Sequence, residues 1–335
     1  MKMLMFDFRE SERDFFNKND FQDIDITFIK EPLNETTELP DEIYEETDVI
    51  SVFITSIVNE ETISRFKNLR VITTRSTGYN HIDVHYCTQN NIAVFNVEEY
   101  GQTSVAQYTF ALILALVRNL LPAFNDVQKG MINHSNYEGR NLNKLTLGII
   151  GCGSIGSAVA KIANFFNMKV IVCSYAKRSD VSSFADYVSM EEVLEQSDII
   201  TLHLPYTKDD YHFLGKEEFK KMKDGAILVN TARGELIDIT ALYENLLNGK
   251  LKGAALDVLE CEYLTISNDD LADIREIDPK CVTSALLTTR LMNMNNVIIT
   301  PHIAYNTQES IDTLLETTFN NIRDHAKGMH NNQVC

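Results

Sequence analysis

LTLGIIGCGSIG, residues 145–156, decides how this chain is read. Its apolar residues Leu147, Ile149 and Ile150 have the character of a buried parallel strand, which stops at Gly151-Cys152-Gly153-Ser154-Ile155-Gly156 where a helical pattern opens. In a G-x-G-x-x-G turn between strand and helix the glycines have separate tasks. The first makes the tight turn, the second lets backbone approach a pyrophosphate, and the third lets helix and strand pack closely. The helix that follows then turns free N–H groups and a positive dipole end toward the phosphates. A glycine-rich turn alone can be merely structural. Here the strand before it, a helix over residues 158–166 and a second strand over 169–173 supply the context of a dinucleotide site.

Downstream, strands predicted at 199–204, 226–230, 253–258 and 297–300 complete a doubly wound parallel sheet. Several end in polar residues: Ser174, His203 with Pro205 beyond it, Thr231-Ala232-Arg233-Gly234, Asp257 and His302. The carboxyl ends of parallel strands line the ligand crevice, so these scattered residues can converge. Residues 263–296 are poorly periodic and read as an irregular excursion with one short helix. Upstream, short strands at 4–8, 24–29, 49–54, 69–73 and 92–95 alternate with helical segments, which predicts a smaller parallel α/β domain. Gly78, in the polar loop Arg75-Ser76-Thr77-Gly78-Tyr79-Asn80-His81-Ile82-Asp83, follows one of those strands and is either a ligand contact or a plain turn. Residues 104–121 predict a long helix, capped by Thr103 or Ser104, stopped by Pro122, and apolar enough to be buried at a domain junction or subunit interface. A last amphipathic helix over 308–327 packs back on the first domain.

The 335 residues suit two domains, and 44% hydrophobic with 23% charged residues is ordinary for globular proteins. A net charge of −18 with no basic block disfavours nucleic acid and anionic membranes as partners, although a salt-adapted source explains the acidity equally well. The longest apolar run, 110–117, is too short to span a bilayer, and MKMLMFDFRE reads as a first strand rather than a signal peptide. The cysteines at 87, 152, 173, 261, 281 and 335 show no C-x-x-C and no metal-ligand spacing. They read as reduced thiols of a cytoplasmic protein, with no metal site expected.

Three residues at or near strand ends have complementary chemistry. Arg233 offers a planar, permanently charged fork for a carboxylate, His302 can give or take a proton near neutrality, and Glu262 could orient and charge an imidazole. Singly, each has a duller reading: a capping or salt-bridge arginine, a satisfied strand-end histidine, a solvated loop carboxylate.

Their surrounding words resemble a family. The segments residues 229–238 (VNTARGELID), 255–262 (ALDVLECE) and 297–304 (VIITPHIA) are similar to signature segments of the D-isomer-specific 2-hydroxyacid dehydrogenases, across nearly the whole chain and most weakly in the first 45 residues. His302-Ile303-Ala304-Tyr305, and Glu262 five residues after Asp257, look most like the D-lactate dehydrogenase branch. The resemblance implies two Rossmann-like domains with the active site in the interdomain cleft. Residues 1–99 plus 303–335 would form a discontinuous substrate domain, and 100–302 the dinucleotide-binding domain. It also implies a homodimer built on the helix from Ser104, and a 2-ketoacid or 2-hydroxyacid as small-molecule substrate.

Arg233 would bind the substrate carboxylate and polarise the keto oxygen, His302 would donate the proton, and Glu262 would hold that proton on the ring. Gly78 would give a backbone N–H to the carboxylate, with Phe53, Tyr100 and Tyr305 walling the pocket. The cofactor would lie on Gly151, Gly153, Ser154, Ile155, Gly156, Ser174, Lys177, Arg178, His203, Pro205, Thr231, Ala232 and Asp257. Two departures stand out: residues 97–102 lack the prolines common in that segment, and Ser174 stands where an aspartate is usual. With Lys177 and Arg178 close by, both NAD(H) and NADP(H) remain open. Pyruvate is the expected substrate; glyoxylate or hydroxypyruvate reduction, formate oxidation and a dinucleotide-sensing corepressor role are the alternatives. Related formate enzymes carry glutamine where Glu262 stands, and the chain has no basic patch or interaction tail for corepression.

Overall fold

The computed structural model describes the chain except residues 20, 133, 263 and 265–277. It divides into two compact units, Met1–Tyr100 with Asn306–Cys335, and Gly101–Tyr305. In the first, β1 (Lys2–Met5), β2 (Asp25–Phe28), β3 (Val49–Val52), β4 (Val71–Thr74) and β5 (Ala93–Phe95) form a parallel sheet in the order β2-β1-β3-β4-β5. Successive side chains on a strand point to opposite faces, so Leu4, Ile50, Ile72 and Val94 pack on one side while Met3, Met5, Val49, Val71 and Phe95 pack on the other. The helix Gln308–Ala326 covers the second side with Leu315, Phe319 and Ile322.

The larger unit holds seven parallel strands: β6 (Thr146–Ile150), β7 (Lys169–Cys173), β8 (Asp186–Tyr187), β9 (Ile199–Leu202), β10 (Ala226–Asn230), β11 (Leu251–Leu256) and β12 (Val297–Ile299). Their order is β12-β11-β10-β9-β6-β7-β8. Sheet growth reverses between β6 and β9, and the loops leaving those two strands part there to open the crevice of a doubly wound fold. The two-residue β8 is too short and polar to be seen in the sequence.

Two predicted helices differ from expectation. The long helix runs as α1 (Gln102–Val117) and then breaks; Asn119 takes φ +51, and α2 (Leu120–Gln128) leaves at 65°. Pro122 therefore does not stop a helix but sits in the first turn of α2, where a missing N–H costs no hydrogen bond. Within its own unit, α1 buries Ala106, Phe110, Ile113 and Val117 against Leu147, Ile149 and Val159. Its apolar character is thus largely used up in that core, and the exposed apolar side chains, Leu120, Phe124 and Val127, lie on α2. The dinucleotide-turn helix is α3 (Ser154–Phe165), and the excursion expected over 263–296 contains a 14-residue helix, α4 (Pro279–Met292). In α4 Asp278 caps through Lys280 N–H and Pro279 occupies the first turn; residue 263 and residues 265–277 lie outside the described part.

The three glycines of the turn before α3 differ physically. Gly151 has φ +92, and a Cβ there would meet the His203 carbonyl oxygen at 2.4 Å; a Cβ on Gly156 would lie 2.1 Å from the Gly151 carbonyl oxygen. Gly153 has φ −73 and no described protein atom within 4 Å of its Cβ position, so the space above it is open to a ligand. Gly156→Ala is expected to lose about 1–3 kcal/mol of stability, the usual range for overpacking. Gly153→Ala should leave the denaturant midpoint unchanged and weaken dinucleotide binding instead. Equal destabilisation of both variants in urea unfolding would contradict this division.

Candidate active site

The carboxyl ends of β10, β11 and β12 lie side by side, because β10 pairs β11 and β11 pairs β12. Arg233 follows the first, Glu262 the second and His302 the third, so one edge of one sheet carries all three. His302 Nδ1 lies 2.9 Å from Glu262 Oε2, and the other carboxylate oxygen accepts the Leu259 N–H at 2.9 Å. Both side chains are partly exposed, at 26% and 27%. That leaves the pair reachable by a small molecule while Glu262 is fixed by its own turn. With Nδ1 engaged, Nε2 is the ring nitrogen available to an incoming oxygen atom.

His302 itself sits at φ +53, an unfavourable conformation for a residue with a side chain. Asp257 holds it there. The Asp257 carbonyl accepts the His302 N–H at 2.8 Å, and its carboxylate accepts Thr300 Oγ1–H at 2.6 Å, Ile303 N–H at 3.0 Å and Ala304 N–H at 2.8 Å. Burial pushes the Asp257 carboxyl above its ordinary value and the three donors pull it back. Asp257 is one of the residues expected on the cofactor side. In the structure it is fully buried, and its work is to anchor the histidine turn.

Arg233 is fixed by a buried asparagine. Asn230 Nδ2–H donates to the Arg233 carbonyl at 2.8 Å and Asn230 Oδ1 accepts the Ala232 N–H at 2.9 Å, so the Thr231–Ala232–Arg233 turn is clamped at its base. The guanidinium Nη1 donates to the Ala232 carbonyl at 2.6 Å. Gly234 next to it is obligatory: a Cβ would stand 2.0 Å from the Leu259 carbonyl carbon, in the backbone of the turn leading to Glu262. The arginine turn and the glutamate turn are thus pressed together, backbone on backbone.

On the cofactor side, Gly151 N–H donates to the Cys173 carbonyl and His203 N–H to the Ile150 carbonyl, which ties the ends of β7, β6 and β9 together. Ser174, after β7, accepts the Cys152 N–H on its Oγ at 3.3 Å. Loss of solvation lowers His203 to about 3, so its ring is neutral at working pH, with Nε2 3.0 Å from Thr201 Oγ1. Pro205 is exposed beyond it, and Thr231 and Ala232 are buried in the clamped turn. Arg178 Nε lies 3.2 Å and Lys161 Nζ 2.7 Å from Asp180, whose carboxyl Lys161 and then Arg178 hold down to about 2. Lys177 stands over the Tyr187 ring at 5.7 Å. The Asp180 counter-charge to Arg178 was not anticipated, although its spacing of two residues was visible.

Of the four residues assigned to substrate, Tyr305 belongs to the larger unit, where its ring stands edge-on to His302 at 6.2 Å between centroids. Phe53, Gly78 and Tyr100 belong to the first unit. Phe53 is buried at the end of β3, its N–H held by Asp7 Oδ2 at 3.1 Å and its ring under the Arg9 guanidinium. Gly78 is pinned by Ser76 Oγ–H, which donates to its carbonyl at 2.6 Å.

The expectation of six reduced thiols is corrected at two positions. Cys261 and Cys281 are disulfide-bonded, with Cα atoms 5.5 Å apart, while Cys87, Cys152, Cys173 and Cys335 are free. A separation of 20 residues carries no signal in sequence, because it is the return of α4 to the glutamate turn that brings the two together.

Comparison with known proteins agrees with this architecture. The family pattern for "D-isomer specific 2-hydroxyacid dehydrogenase, NAD binding domain" matches residues 110–304. An aromatic 2-oxoacid reductase of Clostridium sporogenes is 36% identical over 293 residues, 86% of each chain. A D-specific alpha-keto acid dehydrogenase of Enterococcus faecium is 39% identical over 256 residues, 76% of each chain. Among solved structures, D-lactate dehydrogenase from Aquifex aeolicus complexed with NAD and lactic acid matches with a TM-score of 0.83 and 35% identity, covering 99% of this chain and 98% of that one. By sequence and by fold, the chain belongs to the D-isomer-specific 2-hydroxyacid dehydrogenases.

Proposed function

We propose that this dehydrogenase reduces a small 2-ketoacid, pyruvate foremost, to the D-2-hydroxyacid with a nicotinamide dinucleotide, and that Arg233, Glu262 and His302 carry the chemistry. The observation that supports this most is the 2.9 Å contact between His302 and Glu262, on the sheet edge that also carries Arg233. The open space above Gly153 and the helix start beside it fit a dinucleotide phosphate, so Gly101–Tyr305 is the cofactor-binding unit and the other unit serves the substrate. When bound, the reduced nicotinamide supplies a hydride to the keto carbon. Arg233 forks the substrate carboxylate and draws electron density toward the keto oxygen. His302 delivers a proton to that oxygen from Nε2, and Glu262, in contact with Nδ1, orients the ring that carries it.

Tyr305 beside His302 limits the room for a side chain and favours short ketoacids. Gly78, Phe53 and Tyr100 are assigned to substrate on the family resemblance. The similarity to an aromatic 2-oxoacid reductase supports a second reading, in which the substrate carries a ring. Initial rates on pyruvate, glyoxylate, phenylpyruvate and phosphohydroxypyruvate separate the two; faster turnover on either of the last two than on the first two overturns the short-chain assignment. The exposed Leu120, Phe124 and Val127 of α2 are the surface on which a homodimer would form.

His302→Ala and Arg233→Ala are expected to lower ketoacid turnover by about 10²- to 10⁴-fold while dinucleotide binding survives. Glu262→Gln should change the pH profile of reduction, because the ring loses the carboxylate that lies 2.9 Å from its Nδ1. Turnover within tenfold of wild type in the first two variants, or an unmoved profile in the third, counts against the assignment.

The cofactor reading turns on the end of β7. An acidic residue there would accept from the adenosine ribose and repel a 2′-phosphate. Ser174 does neither as an anion, and Lys177, Arg178 and Lys161 lie close in sequence or space, with Asp180 paired to the last two. We infer use of NADPH alongside NADH. The ratio of kcat/KM for NADPH over NADH should be near or above one, collapse in Ser174→Asp, and rise in Asp180→Asn as two cations are released. A wild-type ratio far below one would assign the site to NADH.

A further inference from the structure

Glu262 is reached through a turn with an unusual predecessor. Cys261, the residue before it, has φ +56, a left-handed conformation that a residue with a Cβ rarely adopts. Besides the Leu259 N–H that holds Glu262 from within the turn, two fastenings tie the turn to α4. Cys261 is bonded to Cys281, in the first turn of α4, and one helical turn further on Ser284 Oγ–H donates to the Glu260 carbonyl at 3.3 Å. The Cys261 carbonyl in turn accepts the Leu264 N–H at 3.0 Å. Cys261 is partly exposed and Cys281 is buried, so an attacking thiolate reaches the sulfur next to Glu262 first.

We propose that Cys261 and Cys281 form a reversible thiol-modification site, exchanging with a glutathione-type thiol/disulfide couple, and that its oxidised form holds Glu262 in place against His302. In the reducing direction a thiolate attacks Cys261 Sγ, the protein disulfide breaks and Cys281 leaves as thiolate. A second thiolate then attacks the outer sulfur of the mixed disulfide, releasing the small disulfide and the Cys261 thiolate; both protein sulfurs take up protons from water. Two electrons have passed from two small thiols to the protein. Once the crosslink is cut, the ordinary backbone conformation becomes accessible to Cys261. Glu262 turns with it, and its contact with the imidazole lengthens.

The other charged groups at this edge hold no part of the crosslink. Glu260 accepts from Tyr211 Oη–H at 2.7 Å and lies 3.6 Å from His212 Nε2. Burial, then Glu262 and Glu260, push the Glu235 carboxyl up, and Arg233 opposes them. They remain when the disulfide is reduced, so the change falls on the Glu262–His302 contact.

The inference rests on the proposed roles of Glu262 and His302, and its test carries its own reference. Wild-type enzyme is equilibrated in reduced and in oxidised glutathione, differentially alkylated and mapped by mass spectrometry, and its pH profile of ketoacid reduction is recorded in both states beside those of Cys281→Ser and Glu262→Gln. Cys261 and Cys281 should switch together between alkylated and bonded. The pH profiles of the reduced enzyme and of Cys281→Ser should move toward that of Glu262→Gln, with the oxidised enzyme unmoved. Alkylation independent of the buffer overturns the site. Coincident profiles for oxidised and reduced enzyme, with Glu262→Gln displaced, overturn the coupling alone. A Glu262→Gln profile equal to wild type overturns the catalytic role of Glu262, and the coupling with it.

Discussion

A buried carboxylate at the end of β11 takes three donors from the turn that follows β12, and the catalytic edge of the larger unit depends on them. Asp257 accepts from Thr300, Ile303 and Ala304 through its side chain and from His302 through its backbone. The histidine lies at φ +53, which costs roughly 1–3 kcal/mol for a residue held in a sparsely populated region. Hydrogen bonds to a charged acceptor contribute about 1.5–3 kcal/mol each. Three of them outweigh the strained residue, so the conformation that aims the imidazole at Glu262 is the stable one. The glutamate comes from the opposite direction, on a turn pressed against Gly234 and bonded to α4.

The same sheet divides its tasks along its edge. Around β6 and β9, where growth reverses, glycines withdraw side chains so that backbone can meet a phosphate group. Around β10, β11 and β12, side chains project instead, and buried polar residues such as Asn230 and Asp257 fix the turns from below. On the proposed reading, one end receives the dinucleotide and the neighbouring end serves proton transfer and carboxylate recognition, and both lie within Gly101–Tyr305.

Local signals carried most of this in the sequence. The turn Gly151–Gly156 is legible because its strand and helix are adjacent in the chain, and Arg233, Glu262 and His302 because each sits in a distinctive word at a strand end. The bend between α1 and α2 was not legible, since it depends on one asparagine in the left-handed region while Pro122 imitates a stop signal. One short helix was expected where α4 lies, but its full length was not legible: its buried stripe is Cys281, Ser284, Thr288 and Leu291, only one of them a strong hydrophobe, although Asp278-Pro279 is a recognisable helix start. The anchoring role of Asp257 and the Cys261–Cys281 bond are both contacts between elements far apart in sequence, which periodicity does not encode.

On the proposed reading, the bound nicotinamide gives hydride to one face of the keto carbon while His302 gives a proton to the keto oxygen, and the product is the D-2-hydroxyacid. The most direct measurement is the handedness of the product. Pyruvate is incubated with purified enzyme and a regenerated reduced nicotinamide, and the lactate formed is resolved on a chiral column. Lactate that is wholly the D enantiomer is the predicted result. L-lactate, a racemate, or no lactate at all would contradict the account.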